Sequence, residues 1–245
     1  MKKIKRMTIG IICLFVILLS NESIYAAQNV TLKNNEKLTI ASTSSKNDHW
    51  ITYKAKKTGI VTLTTNAKKC KVTLCNAKKK AVTAQTSFGK SVSDAKTYSF
   101  AVKKGQTYKL KLNFSSKSIF TCKFTALNES GGNDYRSADI LTLQQSAQGL
   151  TTNSEICKYY RIDVNVMSNQ PIKFSVKTPL KESSGFTFDI LTDTDIPLMS
   201  NVSLCGTKNY TFQSTLGPGT YYVVVKSNSK KTTGQYMISY GKDQT

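Results

Sequence analysis

The sequence predicts an all-β fold: two tandem antiparallel β-sandwich domains, jelly-roll-like or Greek-key in type, behind an N-terminal signal peptide. Three observations carry this. Residues 210–240 alternate apolar and polar positions through a strand, a Gly217-Pro218-Gly219 turn, a second strand, a polar turn and a third strand. A looser copy fills residues 98–126, with Tyr and Phe again two apart, then a Gly turn, then Thr-Tyr and an alternating run. No long stretch shows a 3.6-residue period, while Gly, Pro, Asn, Ser and Thr punctuate the chain at short intervals. An echo of this size is a duplicated domain rather than a solenoid repeat.

The first residues read as an export signal. Lys2, Lys3, Lys5 and Arg6 precede an apolar run over residues 7–19, followed by a small-residue exit at Ala26 and Ala27. That run is short of the roughly 20 residues that span a bilayer, so residues 1–26 are assigned to a cleaved leader. The product is expected to be secreted and extracellular, with wall association as one alternative and no transmembrane span in the mature chain.

Elements follow in order. Residues 29–127 form a first, Lys-rich sandwich, with strands expected at 50–55 and 60–65 as a hairpin, then around Val72 and Leu74, then a hairpin over 98–114 and a strand at 120–126. Residues 128–136 contain two glycines and turn-forming polar residues and read as a linker. Residues 137–245 repeat the order: 159–166 answers 50–55, 171–176 answers 60–65, 186–191 answers Val72–Leu74, and 210–240 completes the unit. Tyr98 recurs as Tyr210 and Tyr108 as Tyr221. The second copy has gained one residue, and it falls in the turn, where Gly105-Gln106 gives way to Pro218-Gly219. Insertions in turns leave strand faces unchanged.

Charge divides the two halves. Residues 29–128 hold 20 Lys against Glu36, Asp48 and Asp94, whereas residues 137–245 hold nine Lys and one Arg against eight acids. Lysine is a hydrated point charge suited to diffuse attraction, so sequence-specific recognition of nucleic acid, which favours Arg, is not expected. The basic half is read in two ways. It binds an anionic polysaccharide, cell-wall polymer or other extracellular partner, or its lysines solvate outer faces and block edge pairing. Candidate binding residues are Trp50 with Lys54, Lys56 and Lys57, then Lys68, Lys69 and Lys71, then Lys78, Lys79 and Lys80, and finally Lys103 and Lys104. Adjacent aromatics such as Tyr159-Tyr160 and Tyr221-Tyr222 must split between faces and leave one ring of each pair outward.

Cysteine gives a weaker signal. Cys13 leaves with the leader, and Cys70, Cys75, Cys122, Cys157 and Cys205 remain, an odd number. Cys122 shares a strand face with Phe120 and Phe124 and is expected to be a buried thiol. Cys70 and Cys75 point to opposite faces of one strand. Cys157 with Cys205 is the candidate disulfide.

The second half resembles the bacterial pre-peptidase C-terminal domain, a β-sandwich appended to secreted proteases. The resemblance rests on Asn133-Asp134, Ala138, Leu141, Gly149-Leu150, Tyr159-Tyr160 with Ile162, the turn at 216–219, Tyr221-Tyr222, and the closing run at 234–238. It covers about 129–241, with a divergent copy over about 30–127 that lacks the Asn-Asp opening. Some members hold calcium at the domain opening. By position this implies Glu129, Asn133, Asp134 and Glu155, although Lys158 stands where an acid is common, and calcium needs six to eight oxygen ligands. No other cofactor is expected.

Catalysis finds little support. His49 is the only imidazole, it stands beside Asp48 where a surface or capping residue is expected, and no GxSxG, HExxH or CxxC pattern occurs. The expectation is a non-enzymatic binding or accessory protein. The alternatives are a companion or inhibitor of a secreted peptidase, and an unusual extracellular hydrolase.

Overall fold

The structure, a computed structural model, describes residues 24–25, 30–42, 48–93, 96–178 and 185–241. The leader assigned to residues 1–26 lies outside them except for Ile24–Tyr25 (β1). Among the described residues no helix is long and apolar enough to cross a membrane. Among the described residues all regular structure is β. The first unit runs β2 (Val30–Thr31), β3 (Lys37–Ile40), β4 (His49–Lys54), β5 (Gly59–Thr65), β6 (Cys70–Asn76), β7 (Thr86–Phe88), β8 (Thr97–Val102), β9 (Thr107–Asn113) and β10 (Ser118–Ala126). The second runs β11 (Asp139–Ile140), β12 (Gln145–Thr152), β13 (Cys157–Val164), β14 (Ile172–Lys177), β15 (Phe186–Thr192), β16 (Pro197–Leu204), β17 (Thr207–Phe212), β18 (Gly219–Ser227) and β19 (Thr233–Tyr240).

The duplication is visible strand by strand. One sheet of the first unit has the order β2-β4-β9-β6-β7 and the other β3-β10-β5-β8, with β1 added beside β3. In the second unit the orders are β11-β13-β18-β15-β16 and β12-β19-β14-β17. Every label has advanced by nine. Even the short parallel pairing recurs, β2 on β4 and β11 on β13.

The expected hairpins are not hairpins. β4 and β5 lie in opposite sheets, as do β8 and β9, and the 210–240 stretch alternates between sheets as β17, β18 and β19. The hydrogen bonds of β9 are taken by β4 and β6, and those of β8 by β5. Local alternation and a tight turn look the same whether the chain folds back beside itself or arches across a core. Only the non-local pairing decides.

Each sandwich closes on its own core. Ile51, Tyr98, Phe100, Leu110 and Phe120 meet in the first, and Tyr160, Phe174, Phe186, Phe188 and Tyr236 in the second. A smaller cluster of Ile60, Ala101, Leu127 and Leu150 joins the two where β8 meets β12 and β19. Segment 128–136 is bonded to the second sandwich: Ser130 N donates to Gln148 O at 3.0 Å, and Gly132 bridges Tyr159. Tyr160 and Tyr236 hydroxyls share a buried hydrogen bond of 2.8 Å.

Gly59 opens β5 where β10 passes closely. A Cβ there would stand 2.1 Å from Thr125 O and 2.9 Å from the Phe124 ring. Gly59→Ala is expected to cost about 2 kcal/mol, in the range of overpacked sites. A lowered melting temperature by circular dichroism checks this, and an unchanged one contradicts the packing described.

Candidate functional site

Alternation on β4 buries His49, Ile51 and Tyr53 and turns Trp50, Thr52 and Lys54 outward. β9 does the same, burying Tyr108, Leu110 and Leu112 and presenting Lys109 and Lys111. Register sets Trp50 opposite Lys111 and Thr52 opposite Lys109. The Lys111 ammonium pairs with Asp48 at 2.9 Å. Lys79 arrives from the β6–β7 turn, its Nζ 4.8 Å from the centroid of the Trp50 ring, a cation–π contact. That turn is organised by Asn76, whose Oδ1 accepts from the backbone N–H of Lys78 and of Lys80, each at 3.0 Å.

Where β4 ends, the two sheets part to form a groove of about 740 Å³. Its floor includes Leu32, Tyr53, Phe124 and Ala126, and Lys33, Lys54, Lys56 and Lys57 stand along it, all four exposed. Asn34 fixes one wall, its Oδ1 accepting from Phe124 N at 2.7 Å. The β8–β9 turn is tied alongside: Gly105 N donates to Ala55 O at 2.8 Å and Lys104 N to Thr58 Oγ1 at 3.2 Å. Lys103 and Lys104 therefore sit beside the turn that carries Lys56 and Lys57. The arrangement is an apolar trough with ammonium groups along its rim, suited to an anion with an apolar face.

The sequence-predicted residues divide. Lys54, Lys56, Lys57, Lys103 and Lys104 gather at the groove end. Trp50, Lys71, Lys78, Lys79 and Lys80 belong to the outer sheet face and the turn above it. Lys68 and Lys69 sit in the β5–β6 turn, one strand length or about 20 Å from the groove, where their neighbours are Lys90 and Ser91. Lys33, Lys109, Lys111 and Phe124 were not anticipated. The alternation Tyr108-Lys109-Leu110-Lys111-Leu112 carried the signal for two of them.

Asn133 and Asp134, two of the four residues implied for calcium, are otherwise engaged. Lys158 Nζ donates to Asn133 Oδ1 at 2.8 Å and to Gly131 O at 3.2 Å, so an ammonium holds the oxygens of the opening loop. Asp134 Oδ1 accepts from Ser137 N at 2.8 Å and Ser137 Oγ at 2.7 Å, and these bonds lower its pKa. Glu129 and Glu155 are exposed. Among the described residues no three His, Cys, Asp or Glu side chains gather as a metal site, and the residues present do not fit calcium.

The expected Cys157–Cys205 bridge is not formed; both are free thiols. Cys157 opens β13 and Cys205 follows β16, with β18 and β15 between those strands. Three strand spacings are about 14 Å, against the 4.4–6.8 Å between Cα atoms that a disulfide allows. Cys122 is buried as expected, and burial raises its pKa to about 11. Of the paired tyrosines, Tyr160 is fully buried and Tyr159 turns outward; Tyr221 and Tyr222 are both half-buried.

His49 corrects another expectation. It is no surface residue but 3% exposed, its ring 4.8 Å from that of Phe114, and neither ring nitrogen has a hydrogen-bond partner among the described residues.

Comparison with known proteins adds fold likeness only. No family model matches the chain, and no curated protein is detectably similar. The chain is similar to a pre-peptidase C-terminal domain. That solved structure, from the collagenase of Bacillus anthracis, is 17% identical over 47% of this chain and 99% of its own, with a TM-score of 0.31. The CBM22-1–CBM22-2 tandem domain of Paenibacillus barcinonensis Xyn10C aligns over 86% of this chain and 88% of its own at 8% identity and a TM-score of 0.24. A fucolectin from striped bass serum aligns over 84% and 86% at 10% identity and a TM-score of 0.21.

Burial of His49 lowers its pKa below the ordinary 6.5, against the opposing pull of Asp48. The unfolded chain therefore takes up a proton first as pH falls. The stability of the neutral form is complete above pH 6.5 and is lost as pH drops through the folded-state value. Melting curves between pH 7.5 and 5 should show a decline in the wild type that His49→Leu lacks. Parallel curves for the two proteins would contradict this.

Proposed function

We propose that this chain is a secreted, non-enzymatic binding protein whose first sandwich holds an acidic polysaccharide, a wall polymer being one such partner. The second sandwich is proposed as a scaffold of the pre-peptidase C-terminal type. The observation that carries the reading is the groove at the end of β4, where Lys33, Lys54, Lys56 and Lys57 line a floor containing Tyr53 and Phe124. Ammonium groups supply attraction without demanding one geometry, which suits a repeating anionic chain. The partly buried Phe124 ring offers an apolar face to the C–H side of a sugar. Few acids oppose this field: Asp48 is paired with Lys111, and Glu36, exposed and accepting from the main-chain N–H of Lys33 at 3.3 Å, leaves one carboxylate beside the groove.

Binding of the mature chain to heparin-derived oligosaccharides, followed by calorimetry, tests the proposal. Raising ionic strength from about 0.05 to 0.5 M should weaken binding at least about tenfold, because the Debye length shrinks severalfold. Lys54→Glu/Lys56→Glu/Lys57→Glu should abolish measurable binding and leave the far-UV spectrum intact. A triple variant that binds as well as wild type, or wild-type binding indifferent to salt, removes the groove as the site.

A further inference from the structure

The groove reaches the outer sheet face through one shared residue. Lys54 lines the groove and is also the last outward position of a row that runs back along β4 through Thr52 to Trp50. At about 3.3 Å per residue, that row is about 13 Å long. Lys109 stands beside it on β9 in register with Thr52, Lys111 stands opposite Trp50 with its ammonium paired to Asp48, and Lys79 stands over the far end. Basic groups thus continue past the groove in a line, with Phe124 at one end and Trp50 at the other.

Building on the groove reading above, we propose that the site is a track for a linear acidic polysaccharide rather than a pocket for one short anion. The chain lies in the groove and extends over β4 and β9 to Trp50. A short oligosaccharide occupies the groove alone. A longer one also meets Lys109 and Lys79, and the second contact is made within the same complex, so affinity rises with length without any change at the groove.

The protein contains a single tryptophan, so its intrinsic emission reports the far end of the track without a label. Lys79 is held against the indole, and an anionic group that draws its ammonium away changes the surroundings of the ring. Groove occupancy is read separately, by calorimetry.

The test compares a heparin tetrasaccharide, a dodecasaccharide, and inorganic polyphosphate of matched charge, which lacks sugar rings. The tetrasaccharide should bind and leave Trp50 emission unchanged. The dodecasaccharide should bind at least about tenfold more tightly and shift or quench that emission. Polyphosphate should bind more weakly than the dodecasaccharide. Lys79→Gln/Lys109→Gln should remove the gain from length and keep tetrasaccharide affinity, which also shows that the variant is folded. If the dodecasaccharide leaves Trp50 unaffected, or the double variant keeps the full gain, the track is wrong and the groove stands. Equal binding of polyphosphate overturns the assignment to polysaccharide. If the tetrasaccharide fails to bind, the groove reading falls and the track with it.

Discussion

The register between β4 and β9 decides what the first sandwich shows to its surroundings. His49 opposite Leu112, Ile51 opposite Leu110 and Tyr53 opposite Tyr108 fill the inner face. A slip of either strand by one residue would turn that strand's outward residues, Trp50 on β4 or Lys109 and Lys111 on β9, into the core and expose its aliphatic ones. Burying those ammonium groups without partners is prohibitive, so the core that fixes the register also fixes the basic face. Stability and surface chemistry are two sides of one pairing.

The second sandwich shows how far the same lattice can be rewritten. Tyr159 stands where the first copy has Trp50, Asp163 where it has Lys54, Tyr222 where it has Lys109, and Val224 where it has Lys111. Tyr135 lies against both Tyr159 and Tyr222 with ring centroids 4.8 Å apart in each case, and Val224 beneath is 1% exposed. Asp163 is held by Arg161 and Thr220. Leu141 N bonds Arg161 O as Leu32 N bonds Thr52 O, both at 2.8 Å, so the backbones correspond while the charge does not. In one copy the face is open and cationic. In the other it is closed by its own tyrosine.

Much of this was legible from the chain, because period-two alternation and turn residues act locally. Tyr98, Tyr108 and Tyr221 marked the repeat, and the face of Cys122 followed from its neighbours Phe120 and Phe124. What escaped was everything set by pairing between distant segments. Arched connections read as hairpins because a turn does not record which sheet receives the next strand. The burial of His49 depends on Phe114, 65 positions later. Lys33 joins Lys54 only because β2 lies beside β4, a contact of two residues on each strand that carries little sequence signal. The separation of Cys157 from Cys205 likewise depends on the order of strands within a sheet.

The contrast between β8 and β17 bears on how such units assemble. In the first copy Ala101 on β8 is fully buried in the cluster that receives the second sandwich. Its counterpart after β17 is Gln213, exposed, with its amide bonded to Asn169 O. The strand before it presents Thr207, Asn209 and Thr211 to solvent. A further sandwich docking in the same manner would have to strip water from those groups and would gain no alanine-sized fit in return. The stacking rule that joins the first unit to the second is thus switched off at the next face, as in the polar end units that terminate repeat arrays.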